Sequence, residues 1–163
     1  MKNCKIILAD KNDSEEILKL YKAQIGGAAD WNEHYPSEET IEFDLKRNAL
    51  FVMKNESNEI IAVISIDDDQ EVADLNCWNK ELEPSAELAR LCVREDMRNK
   101  GIARLMMEYT FRELKRQGKK GVHILVRPEH KVALQSYSHL DYIKVGECEL
   151  FDKRFICLER PLN

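Results

Sequence analysis

The run Arg98-Asn99-Lys100-Gly101-Ile102-Ala103 places two cations and a glycine where a strand-like pattern gives way to a helical one. The first N–H groups of a helix have no partner within it, and the helix dipole there favours negative charge. Gly101 lacks a Cβ, so a phosphate can approach the main chain closely. Cations at this end of a helix cost about 0.3 kcal/mol or more, yet Arg98 and Lys100 stand there and Arg104 follows one turn on. A bound anion would remove that conflict; a solvated basic turn is the alternative. Neither a G-x-x-x-x-G-K-[ST] loop nor a G-x-G-x-x-G turn is present. A second group lies in residues 28–36 (AADWNEHYP), where Trp31, Glu33, His34 and Tyr35 join Asp30. Aromatic surface beside carboxylates suits a cationic amine; ordinary loop packing is the alternative.

The elements that must position these groups are legible from periodicity. A strand over 4–9 leads to a helix capped by Asp13 or Ser14, running to about Gln24 and stopped by Gly26-Gly27. Ser37 with Thr40 opens a second helix to about Arg47. Strands over 49–54 and 59–66 flank a turn at Asn55–Asn58, and the stretch from the acidic Asp67–Glu71 to about Pro84 is the least regular. A strand over 86–94 enters a helix over 101–117, whose apolar face includes Ile102, Leu105, Met106 and Tyr109, and Gly118 ends it. A strand over 121–127, a helix over 130–140 and strands over 142–149 and 153–160 complete the chain. The order βααβββαβαββ implies an α/β mixed fold, a sheet with helices on its faces.

The 163 residues fit a single domain over 1–163. No apolar run reaches the roughly 18 residues of a membrane span, and charged residues follow the short N-terminal apolar stretch at once, against a signal peptide. A cytoplasmic protein with no membrane partner is expected. Five scattered cysteines without a C-x-x-C pair argue against a disulfide framework and a structural zinc site, and read as packing residues. Asp67-Asp68-Asp69 lacks the glycine and distal glutamate of an EF-hand and reads as a solvated turn, so no metal is expected. His123 lies mid-strand and reads as structural, and His139 as exposed.

Charge is polarised. Residues 1–86 hold 9 Lys/Arg against 19 Asp/Glu, and residues 87–163 hold 16 against 11. A compact anion suits the basic half better than a long polyanion, which the acidic half would repel. Nucleic acid is therefore not the expected partner, and the basic stretch lacks the interleaved aromatics of a single-strand binder.

The run from Glu87 to Met107 (ELARLCVREDMRNKGIARLMM) resembles the acetyl-CoA motif of the GNAT N-acetyltransferase superfamily, [RQ]-x-x-G-x-[GA] between a strand and a helix. Arg98, Gly101 and Ala103 match its fixed positions. The following strand GVHILVR and the pattern Ala133-x-x-x-Tyr137-x-x-Leu140-x-Tyr142 fall at the family's spacing, so the likeness covers essentially the whole chain.

The resemblance implies a mostly antiparallel, mixed sheet of about seven strands with helices on both faces and a splayed central strand pair. It implies that the pyrophosphate of acetyl-CoA, the co-substrate, is held by N–H groups of Arg98, Asn99, Lys100, Gly101, Ile102 and Ala103. The main chain of Leu91, Cys92 and Val93 would bond the pantetheine arm. Tyr137 matches a tyrosine near the cofactor sulfur and would protonate the departing thiolate; Glu87 matches a position that directs a carboxylate at the amine, directly or through water. Residues 28–36, with Trp31, Glu33 and Tyr35, match the region lining the acceptor site. The chain departs from the pattern at His130, where the family often has Asn against the cofactor, and at Asp141, which replaces a turn glycine and tolerates the left-handed conformation.

The implied reaction is direct attack of a primary amine, from a small molecule or peptide, on the thioester with both substrates bound. A non-catalytic acyl-CoA-binding or sensor module is the alternative. Pairing of GNAT-like proteins through C-terminal strands makes a homodimer an expectation by resemblance.

Overall fold

The computed structural model of the protein describes residues 3–163. Met1 and Lys2, at the head of the segment weighed above as a targeting peptide, lie outside them. The strands are β1 (Lys5–Leu8), β2 (Leu50–Lys54), β3 (Ile60–Asp67), β4 (Ser85–Val93), β5 (Gly121–Val126), β6 (Ile143–Leu150) and β7 (Lys153–Pro161). The helices are α1 (Ser14–Lys22), α2 (Glu38–Lys46), α3 (Gln70–Ala73), α4 (Ile102–Arg116) and α5 (Lys131–Ser138). The strands pair in the order β1-β2-β3-β4-β5-β7-β6. β4 and β5 run parallel, while β1–β2, β2–β3, β5–β7 and β6–β7 are antiparallel. The chain divides into two compact units, residues 1–66 with 90–109 and residues 67–89 with 110–163.

In the first unit, Ile61, Ala62, Val63 and Ile64 of β3 are all buried, so the strand reads as a continuous apolar run rather than an alternating one. α1 contributes Ile17, Leu20 and Tyr21 to a core shared with Ile41, Leu50, Val52 and Cys92. The start of α1 differs from the sequence expectation. Asp10 caps a 3-10 turn at Lys11–Asp13, and the Asp13 carboxylate accepts the Asp10 N–H at 2.9 Å and pairs with Lys54 Nζ at 2.9 Å. A short turn thus precedes α1 and consumes the expected cap. α2 opens as expected: Ser37 Oγ accepts the Thr40 N–H, and Thr40 Oγ1 accepts the Ser37 N–H.

In the second unit, α5 packs Ala133 and Tyr137 inward, and Tyr142 sits edge-on to Phe111 at 5.9 Å and tilted to Tyr137 at 5.8 Å. Asp141 has φ 63°, the left-handed turn that its sequence position implied. Residues 67–84 hold more structure than their composition suggests. Asp69 caps α3 through the Glu71 and Val72 N–H groups, and Trp78 Nε1 donates to the Val72 carbonyl at 2.8 Å. All five cysteines are free thiols.

The β6–β7 hairpin turns on two residues, Phe151 (φ 56°) and Asp152 (φ 60°), between the partners Leu150 and Lys153. Positive φ at both positions is what a two-residue turn needs to match strand twist, but a bulky residue pays steric strain there. Phe151→Asn is expected to raise unfolding stability by about 1 kcal/mol, read as a higher urea midpoint; an unchanged midpoint would exclude strain at this turn.

Candidate functional site

In the first unit, β4 ends in a 3-10 turn at Glu95–Met97, and Arg98–Gly101 joins it to α4. Asn99 (φ 62°) and Gly101 (φ 79°) are left-handed on either side of Lys100, which is not. Alternation of hand is the arrangement that turns successive N–H groups toward one concavity. Leu105 N–H is bonded to the Gly101 carbonyl at 3.1 Å, so Ile102, Ala103 and Arg104 form the first turn, whose N–H groups have no helical acceptor. A Cβ on Gly101 would meet nothing within 4 Å; glycine is required there by its φ, and the space beside it is open.

The cations around this turn are only partly committed. Arg98 donates to the neutral Gln24 Oε1, Arg104 bonds Glu108 at 2.6 Å, and Lys100 is exposed. Arg94 grips Asp96 at 2.7 Å and holds that carboxyl below its usual range, with Lys100 adding to the effect.

Upstream, the Arg94 N–H bonds the Ile61 carbonyl of β3 at 2.9 Å. Successive strand residues direct their main-chain groups to opposite edges, so those of Cys92 face β3 and those of Leu91 and Val93 face the other edge. The Cys92 side chain lies in the core, its thiol donating to the Leu20 carbonyl at 3.7 Å. Burial pushes that thiol up to about 12, so it is no thiolate nucleophile at neutral pH.

Arg90 is the residue that the sequence reading missed. It sits mid-strand at φ 51°, a left-handed residue in β4, and is buried. Its Nη2 bonds both oxygens of Asp44 at 3.0 Å, and its Nη1 donates to Tyr35 Oη at 2.9 Å. Asp44 is fully buried on α2 and also accepts from Arg47 Nη2 at 2.6 Å and Ser65 Oγ at 2.8 Å. The signal was available: in Ala86, Leu88, Arg90 and Cys92, alternation puts an arginine in a buried row.

The side chains of residues 28–36 are held by separate contacts. Trp31 packs edge-on against Tyr21 at 5.4 Å beside the core, while Glu33 is exposed next to His34. Tyr35 is joined to Arg90, as above.

In the second unit, Glu87 is buried on β4 and its strand partner on β5 is His123. The β4–β5 ladder covers Ser85↔Gly121 to Glu87↔His123, whereas β5 continues along β7 to Val126↔Ile156. Tyr137 is 7% exposed, and burial raises its phenol well above the ordinary value, so it remains a proton donor across the working pH range. His130 caps α5 through its main chain: its N–H bonds the Arg127 carbonyl and its own carbonyl accepts from Leu134 N–H. Among the described residues no His/Cys/Asp/Glu group is placed to hold a metal, and no helix is long and apolar enough to cross a membrane.

The turn before α4 thus joins two left-handed residues to a helix N-terminus, at the end of a strand that itself holds a left-handed arginine. The model of the acetyltransferase (GNAT) family matches residues 14–142, and the chain belongs to that family. No curated protein sequence matches it. Among solved structures it is similar to a GNAT acetyltransferase from Streptococcus agalactiae, with TM-score 0.81, 16% identity, and 98% of this chain and 96% of that one covered. It is similar to yncA from Salmonella typhimurium, whose structure holds its cofactor acetyl-CoA (TM-score 0.77, 16% identity, 99% and 95% covered). A third likeness is to the ribosomal-protein-S18-alanine N-acetyltransferase of Escherichia coli (TM-score 0.72, 17% identity, 98% and 94% covered). The seven-stranded, mostly antiparallel mixed sheet is the fold these structures share with it.

Removing one partner of a buried ion pair is far costlier than the pair's net contribution. Asp44→Ala is therefore expected to lower unfolding stability by about 3 kcal/mol, measured by urea denaturation. A loss below about 1 kcal/mol, the range of an exposed pair, would show that water reaches Arg90.

Proposed function

We propose that the chain, acting as one domain over residues 1–163 in the cytoplasm, transfers the acetyl group of acetyl-CoA to a primary amine of a small molecule or peptide. The observation that carries this reading is the Asn99–Gly101 turn at the start of α4, left-handed at both ends and open beside Gly101, which supports pyrophosphate binding at the family's motif position. Supporting it are the cations Arg98, bonded to a neutral amide, and Lys100, exposed, and the main chain of Leu91 and Val93 on the edge of β4 away from β3.

In this reading both substrates bind together and the amine nitrogen attacks the thioester carbonyl directly. Glu87 takes the proton that the ammonium must lose, itself or through water. A main-chain N–H of β4 on the edge away from β3 stabilises the oxyanion. Tyr137 gives its phenolic proton to the departing sulfur, and its buried position keeps that proton available. Tyr35, tied to Arg90, is the member of the 28–36 loop best fixed to meet the acceptor; Glu33 supplies charge at its rim, and Trp31 supports the loop from beneath. His130 stands where the pantetheine arm passes.

The test is acetyl transfer measured over ethanolamine, spermidine and a short peptide with a free N-terminus, alongside acetyl-CoA binding by calorimetry. Binding without transfer to any of them would make the chain a binding module. With the best acceptor, Glu87→Gln is expected to lower kcat about a hundredfold at neutral pH, the deficit narrowing as pH rises and free amine accumulates. Tyr137→Phe is expected to lower kcat at least about tenfold with acetyl-CoA affinity unchanged; an unaltered rate would remove the acid role.

A further inference from the structure

Strand register sets a histidine beside the proposed base. His123 on β5 is the Cα partner of Glu87 on β4 and of Glu159 on β7. Directly paired residues of neighbouring strands project from the same face with their Cβ atoms about 5 Å apart. A carboxylate, an imidazole and a second carboxylate thus stand in one row across three strands. All three are buried.

The imidazole is clamped. Ser85 Oγ lies 3.0 Å from Nδ1, one same-face step before Glu87 on β4. The Trp78 indole stacks on the ring with centroids 4.4 Å apart and planes 29° apart, and Trp78 is itself anchored to the Val72 carbonyl. The next residue, Asn79, donates its N–H to both oxygens of Glu159 at 3.1 and 3.2 Å. The groups that face His123 are therefore Ser85 and Glu87 from β4, Glu159 from β7, and Trp78 from the loop before β4. None is a cation. Burial pulls His123 down to about 4 and raises Glu159, so the ring is neutral at physiological pH.

The Ser85 contact satisfies Nδ1, as any buried ring nitrogen requires, and together with the Trp78 stack it fixes the orientation of the ring beside Glu87. A neutral imidazole next to a carboxylate can hydrogen-bond it without the charge that would make the carboxylate a weaker base. We propose that His123 is the positioning residue of Glu87: clamped between Ser85 and Trp78, it fixes the carboxylate where it receives the proton of the acceptor amine. In that step an N–H bond of the substrate breaks and an O–H bond forms on Glu87, while the imidazole keeps its own proton throughout. The inference rests on the reading of Glu87 as the base.

The experiment is the pH dependence of kcat/KM for His123→Phe, which keeps the stack on Trp78, and His123→Gln, which restores a donor near the Nε2 position. Both are made in the wild-type and Glu87→Gln backgrounds, with acetyl-CoA and the best amine of the panel above. Tryptophan fluorescence and thermal melting select folded variants. His123→Phe is expected to lower kcat about tenfold and move the acid limb by at least about half a pH unit, with the KM for acetyl-CoA unchanged. His123→Gln should recover part of both, and neither substitution should lower the rate further once Glu87 is Gln. An unmoved acid limb in a folded His123→Phe, or an equal fall in both backgrounds, would overturn the proposal alone. An undiminished rate in Glu87→Gln would overturn the base assignment and the proposal with it.

Discussion

The buried carboxylate of Asp44 governs the central strand. It gathers Arg90, Arg47 and Ser65, and Arg90 reaches it from a left-handed position in the middle of β4. A non-glycine residue in that conformation costs roughly 1–2 kcal/mol, whereas an orphaned buried guanidinium would cost about 3–5 kcal/mol. The ion pair therefore wins, and the strand accepts the kink. Little net stability follows from such a pair, since desolvation offsets most of its attraction. What it supplies is a fixed geometry: one residue of the strand is held left-handed, and Tyr35 is drawn to the same guanidinium.

The α4 terminus works on a different scale. Arg98 rests on an uncharged amide and Lys100 is exposed, so the positive end of the dipole and two cations share one open turn. Each unfavourable term is only tenths of a kcal/mol, small enough to persist without a ligand. Asn99 and Gly101, both left-handed, fix the path of the main chain through that turn.

How much of this was legible follows from range in the sequence. The element order, the α2 capping box, the glycine turn before α4 and the left-handed Asp141 all depend on residues within a few positions of one another, and they could be read. The Asp10 cap escaped because two acidic residues competed for one helix start and the extra 3-10 turn used both. Trp31 offered aromatic surface to a ligand or to the core, and its contact with Tyr21, ten residues away, was not readable from the loop itself. Arg90–Asp44 and Glu87–His123 are separated by dozens of residues, and strand pairing alone brings each pair together. An arginine in a buried row was visible as an anomaly, but its partner was not.

Leu91 and Val93 turn their amides, not their side chains, toward the edge of β4 away from β3, and the turn before α4 likewise offers main chain. Amide groups are the same in every residue but proline. Whatever is bound there leaves the side chains to be chosen by their own surroundings, as the core chose Cys92. Pairing between strands likewise runs through these groups, and a chain agreeing with this one at 16% of positions still superposes on its fold with a TM-score of 0.81. Drift in the letters of β4 is therefore a poor guide to drift in its main-chain path.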